Sequence, residues 1–167
     1  MNTPVRVILA LLLVSVAACR TTATPAPSSS GTVVAPPPAA PSVESEEILA
    51  RDEVTTRASV KHILISWGEL GPTLNGQQDP RASNRTRAEA GELITSLGAR
   101  ALEGEDFDLL MAEYSEDAGS ARSGMSYPVT RDSQLAFMFR RLSLRLEPGE
   151  QGVVKTQFGY HLIRRVE

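Results

Sequence analysis

Residues 20–42 are built almost wholly from Thr, Ala, Pro, Ser, Gly and Val, with Pro36, Pro37 and Pro38 in a row. Such a stretch has too few large apolar groups to offset the entropy of ordering it, so it is expected to be an extended, disordered tether. Everything that folds must then lie after it, in a length that suits one domain. Cys19 is the only cysteine, so no disulfide can form within the chain and the domain must rely on its hydrophobic core.

Two segments of that domain read as strands, and each holds one of the two histidines of the chain. The first spans Arg57 to Ile65 and contains Val60-Lys61-His62-Ile63-Leu64-Ile65. The last spans Tyr160 to Val166 and contains His161. Both are short, rich in β-branched and aliphatic residues, and bounded by turn formers. A sheet could bring the two histidines side by side. Val153-Val154-Lys155-Thr156 is expected to pair with the last strand as a hairpin around Gln157, Phe158 and Gly159.

Between these ends, residues 66–84 form a long polar loop of the kind that is usually functional or mobile. Thr86 to Leu102 has apolar residues at helical spacing (Ala90, Leu93, Ile94, Leu97, Ala101), and Gly104 ends it. Asp106 caps a second helix with Phe107, Leu110, Met111 and Tyr114 on one face. Residues 115–124 are small and polar. Met125 to Thr130 reads as a short strand, placed at a sheet edge by Pro128. Asp132 or Ser133 caps a helix through Leu135, Phe139 and Leu142, and Ser42 or Ser45 caps a short one at 46–49. The class is α+β, a mainly antiparallel four-stranded sheet with about four helices.

The formal net charge of -3, with both signs mixed along the chain, gives no reason to expect nucleic acid as a partner. Arg6 followed by the apolar run Val7 to Val14 and then small residues is a secretory signal pattern over residues 1–18. The apolar run is about twelve residues, against roughly 20 for a membrane-spanning helix. Val16-Ala17-Ala18-Cys19 resembles the lipobox of bacterial lipoproteins. That resemblance implies a lipid anchor on Cys19 and a protein held at the bacterial cell envelope, facing the periplasm. Arg20 after the cysteine points to the outer membrane. The expected organisation is therefore a signal peptide at 1–18, an anchored linker at 19–43, a helical lead-in at 44–56 and the main domain at 57–167.

The domain resembles the parvulin-type peptidyl-prolyl cis-trans isomerases. His62-Ile63-Leu64 matches the opening strand, and Phe107-Asp108-Leu109-Leu110 with Tyr114-Ser115-Glu116-Asp117 matches a central segment. Gln134-Leu135 with Phe139 matches a helix, and Gly149-Glu150 with Thr156-Gln157-Phe158-Gly159-Tyr160-His161 matches the close. The resemblance implies the parvulin-like form of the FKBP-like superfold and rotation of X-Pro bonds in unfolded or partly folded envelope proteins. It implies His62, Asp117 and His161 as the catalytic set. Leu135 and Phe139 would line an apolar proline socket, with Met125 as a third member, and Thr156 would complete the polar network. No metal or other cofactor is required by such a reaction.

Without the resemblance, Leu135 and Phe139 are what any helix buries, and Asp117 is a cap or turn residue. The chain departs from the family where Gly-Gly-x-Leu-Gly is usual, reading Ser123-Gly124-Met125-Ser126-Tyr127. Either Met125 replaces that leucine or Ser126 leaves the socket more polar. Arg81 and Arg85 stand too far apart for the arginine cluster of phosphate-binding members. The alternative function is a chaperone or peptide-binding module on the same fold.

Overall fold

The computed structural model describes residues 42–167. The expected signal peptide, Cys19 and nearly all of the expected linker lie outside the described residues. The elements are α1 (Glu46–Leu49), β1 (Arg57–Ile65), α2 (Arg87–Leu102), α3 (Phe107–Tyr114), α4 (Ala118–Ser123), β2 (Tyr127–Thr130), α5 (Phe137–Ser143), β3 (Gln151–Thr156) and β4 (Gly159–Arg165). Two short 3-10 turns, Gly68–Leu74 and Pro80–Ala82, break the long loop.

The sheet runs β2-β1-β4-β3, antiparallel throughout. The first and last strands of the chain are thus the two inner strands, and β2, with Pro128, is at an edge. Side chains alternate across the sheet. Ile63 and Ile65 of β1, with Tyr160 and Leu162 of β4, face α2 and α3. Ala58 and Val60, with Ile163 and Val154, face α5. The same alternation sends His62 and His161 to the α5 side. Each fully buried Ile or Leu contributes about 1.5–3 kcal/mol, and both faces carry such residues.

Local chemistry sets the boundaries. Thr86 and Glu89 form a reciprocal capping box at the start of α2. Asp106 caps α3 by accepting from the amides of Asp108 and Leu109. Gly159 has φ +144°, and a Cβ there would come within 2.4 Å of the Ile65 carbonyl oxygen, so the tight β3–β4 turn requires glycine.

The structure adds one element and shifts the start of another. Within the small, polar stretch 115–124, Asp117 caps α4 and Gly124 closes it at φ +63°. Four helices, α2–α5, thus flank the sheet as expected, with the short α1 in the lead-in. α5 begins after Ala136, with neither Asp132 nor Ser133 as its cap. Ser133 instead spends its hydroxyl on the Thr130 amide, 2.9 Å away, and Leu135 precedes the helix.

The lead-in is also built into the domain. The Ser45 amide donates to the Val153 carbonyl at 2.8 Å, the Val153 amide to Ser45 Oγ at 2.9 Å, and the Lys155 amide to Glu44 Oε1 at 2.9 Å. These bonds cover the open edge of β3, which would otherwise be a template for another chain. Ile48 and Leu49 pack into the α5-side core, and Arg51 makes a bidentate pair with Glu150 at 2.6 and 2.7 Å.

Candidate active site

His62 and Ile163 are register partners, as are Leu64 and His161. The two histidines are therefore diagonal neighbours on one face of the inner strand pair, close enough for their rings to meet. His62 Nδ1 lies 3.2 Å from His161 Nδ1. At the outer ends, His62 Nε2 lies 2.8 Å from Ser120 Oγ, and His161 Nε2 lies 2.8 Å from Thr156 Oγ1. All four ring nitrogens are occupied, in a line Thr156–His161–His62–Ser120. A single proton on the central Nδ1 pair sets the sense of every bond. With that proton on His161, His62 donates to Ser120 and Thr156 donates to His161; with it on His62, both outer bonds reverse.

Phe139, from α5, packs edge-on against both imidazoles, with ring centroids 5.1 Å from His62 and 5.3 Å from His161. Tyr127 meets His62 edge-on at 5.4 Å, and its hydroxyl is 3.3 Å from Ser120 Oγ. This enclosure holds the histidines neutral. Burial pushes the pKa of His62 down to about 4 and that of His161 to about 3, and proximity to His62 adds to the effect on His161. Asp117 opposes both shifts without overcoming them.

Asp117 is half-buried at the start of α4, where Oδ1 accepts the Ser120 amide at 2.6 Å. Burial raises its pKa. Hydrogen bonds from the Ser120 amide and hydroxyl, with attraction to the imidazoles when charged, more than offset that and leave it below the ordinary carboxylate value. At neutral pH the site thus holds one carboxylate beside two neutral imidazoles.

Asp117 and His161 open onto a cleft of about 410 Å³, bounded also by Leu64, Gln78 and Phe158. Its far wall is the long loop, which is tied down by specific bonds. The Glu116 carboxylate is buried and accepts from Arg85 at 2.5 Å and from the Ser66 amide at 2.6 Å. Arg81 donates to the Glu113 and Ser115 carbonyls, and Gln78 to the Trp67 carbonyl.

Of the residues singled out in the sequence, His62, His161, Thr156 and Phe139 form one contact group, and Asp117 adjoins it. Leu135 is partly buried and packs with Phe139 in the same core. Met125 is 68% exposed and is not part of that packing. Ser126 is engaged with β1, where its hydroxyl oxygen accepts from Ser59 Oγ at 2.9 Å. Sequence reasoning missed Ser120 and Tyr127. The spacing of Asp117 and Ser120, three apart as in a cap and its amide partner, was the available signal for the first. Among the described residues no cluster of His, Cys, Asp and Glu suited to a metal ion is present, and the engaged ring nitrogens leave no lone pair free for one.

A family model described as the PPIC-type PPIASE domain matches residues 46–167. The chain is 28% identical over 119 residues to the foldase protein PrsA of Geobacillus kaustophilus, a match covering 71% of this chain and 42% of that protein. It is 37% identical over 111 residues to the chaperone SurA of Chromohalobacter salexigens, covering 66% of this chain and 22% of that one. The chain therefore spans less than half the length of these relatives. Among solved structures, peptidyl-prolyl isomerase ESS1 from Candida albicans aligns with a TM-score of 0.56 at 21% identity, over 67% of this chain and 63% of the other, and so shares the fold.

Proposed function

The chain belongs to the PPIC-type PPIase domain (parvulin) family, and on that premise we propose that it accelerates cis–trans rotation about X-Pro bonds in unfolded or partly folded exported proteins. The observation that carries this reading is the buried Thr156–His161–His62–Ser120 line, roofed by Phe139 and flanked by ionised Asp117.

Rotation of an amide faces a barrier of about 18–20 kcal/mol, and uncatalysed X-Pro exchange takes tens to hundreds of seconds. No covalent bond need form or break. The enzyme has to bind the twisted amide better than either planar form. Twisting ends amide resonance, so the carbonyl oxygen loses negative charge. The Asp117 carboxylate, placed near that oxygen, repels the charge-rich planar form more than the twisted one. Phe139 and Leu135 offer the apolar wall for the proline ring. His62 and His161 act as a fixed, neutral scaffold, with Thr156 bonded to the His161 end. Their burial and low pKa argue against a role as proton carriers near neutral pH.

The same reading places the protein at the bacterial envelope. Its support is the apolar run Val7 to Val14 and the Val16-Ala17-Ala18-Cys19 sequence, with Cys19 lipidated and the domain facing the periplasm, at the outer membrane. Cys19→Ser is expected to release the protein from the membrane fraction, and unchanged membrane association would refute the anchor.

A second reading, a holding chaperone without useful turnover, draws on one observation: Ser126 and exposed Met125 supply no buried apolar side chain where the family usually has leucine. Refolding of a protein limited by proline isomerisation separates the two. An isomerase shortens the slow phase at substoichiometric amounts, whereas a holding chaperone leaves its rate unchanged or slows it.

A further inference from the structure

α5 turns Phe139 inward and a different chemistry outward. Arg131, Arg140, Arg141 and Arg145 line one shallow hollow together with Phe137 and Val54, and no carboxylate lines it. Among the described residues, the ion pairs engage Arg51, Lys61, Arg81, Arg85 and Arg100 and none of these four guanidiniums. Residues 1–41 contain no Asp or Glu that could neutralise them. Glu53 and Glu147 line the adjoining hollow, which shares Arg145 with this one, but neither forms an ion pair with it; Asp132 neighbours Arg131 in sequence, and Glu150 is committed to Arg51.

Backbone carbonyls hold the arginines in place. Arg140 Nη1 donates to Ser133 at 2.8 Å, Arg141 Nη2 to Leu49 at 3.2 Å, and Arg145 Nε to Arg51 at 2.9 Å. A guanidinium has five N–H donors, so each keeps donors free. At the same place Phe137 is 63% exposed, with the Arg140 Cζ 5.9 Å from its ring centroid. In a chain whose formal net charge is -3, four positive charges without carboxylate partners around an exposed aromatic ring do not follow from composition.

We infer that this outer face of α5 is a contact surface for an anionic membrane, in which the four guanidiniums bind lipid phosphates and Phe137 enters the headgroup layer. Guanidinium forks match phosphate oxygens, basic clusters hold proteins to anionic leaflets, and aromatic rings favour the membrane–water interface. An exposed phenylalanine at the centre of the charge favours a lipid surface over an acidic polypeptide. The hollow shares no residue with the cleft at Asp117 and His161, so a client can occupy the cleft while this face lies on the bilayer.

The test uses the full chain carrying Cys19→Ser, so that no acyl chain contributes, co-sedimented with phosphatidylcholine vesicles and with vesicles containing phosphatidylglycerol. Binding to the anionic vesicles is expected to be stronger by tenfold or more and to fall with added salt. Arg131→Gln with Arg140→Gln should remove about fivefold per guanidinium from that difference, with the same binding to neutral vesicles and the same prolyl isomerisation rate. Phe137→Ala, at an exposed position that folding does not need, should also weaken anionic binding. Equal binding to both vesicle types, or an unchanged double-arginine variant, would overturn the inference. So would tighter binding of a polyglutamate peptide, which would mark a protein partner, or arginine-dependent binding of inorganic phosphate without vesicle binding. None of these outcomes touches the isomerase reading, which rests on other residues.

Discussion

His62 Nδ1 stands 3.2 Å from His161 Nδ1 although 99 positions separate the two residues in the chain. Two ring nitrogens at that distance hold one proton between them, and protonating both rings would set two positive charges in contact inside a dry core. The pair therefore works as a neutral unit, and its neighbours read its tautomer.

Stability should fall on mild acidification. Both histidines titrate in the folded protein well below their ordinary value of 6.5. Above about pH 6.5 neither state takes up a proton and the full stability is present. As pH falls below that value the unfolded chain protonates first, and stability drops until the folded pKa values near 4 and 3 are reached. At pH 5 the loss is about 2 kcal/mol per histidine. Denaturant melts at pH 7.5 and pH 5 measure it. The isomerase rate of the folded fraction should stay flat between pH 6 and pH 8, and a titration near 6.5 would contradict the assignment of a neutral pair.

Asp117 has two separable duties. Asn caps a helix about as well as Asp, so Asp117→Asn keeps the bond to the Ser120 amide and removes only the charge. Melting should shift by less than about 0.5 kcal/mol while kcat/KM falls tenfold or more. Asp117→Ala should lose the same activity and a further ~1 kcal/mol of stability from the cap. Equal activity in wild type and the Asn variant would make Asp117 a cap and nothing else.

Phe139 and Leu135 should differ in kind. Phe139 is buried against both imidazoles, so Phe139→Ala costs about 3–5 kcal/mol and its activity loss is inseparable from unfolding. Leu135 is only partly buried. Leu135→Ala should cost about 1–2 kcal/mol, within the usual range for a single substitution, while raising KM severalfold. An unchanged KM would remove Leu135 from the proline socket.

The wall of the cleft depends on one buried carboxylate. Glu116→Ala strands Arg85 and the Ser66 amide, a loss of about 3–5 kcal/mol for a broken buried pair. Hydrogen exchange should accelerate across residues 66–85 before it does so in β1 or β4. Uniform acceleration would show that the loop is not held by this contact.

The sequence made the sheet legible because period-two patterns and turn residues are local signals. The strands holding His62 and His161, the β3–β4 hairpin and the edge position of β2 all follow from them. α2 was legible through its apolar spacing and α3 through its cap. α4 was hidden because Ala118, Gly119, Ser120 and Ala121 give no apolar periodicity, so Ser120 went unseen as the partner of His62. The start of α5 was misplaced because Ser133 bonds backward to Thr130, a choice fixed by the turn after β2. The order of residues 66–84 comes from Arg81, Arg85 and Glu116 reaching across the fold, and such long-range bonds leave no local trace. The resemblance to the parvulins supplied the grouping of His62, Asp117 and His161, which spacing alone could not.

The most direct measurement is the cis–trans exchange rate of an Ala-Pro bond in a short peptide, read by exchange NMR with and without catalytic amounts of the folded protein. The account predicts exchange well above the uncatalysed rate, which has a time constant of tens to hundreds of seconds, and most of the gain lost in Asp117→Asn. A folded wild-type protein that binds the peptide and leaves the exchange rate unchanged would contradict it.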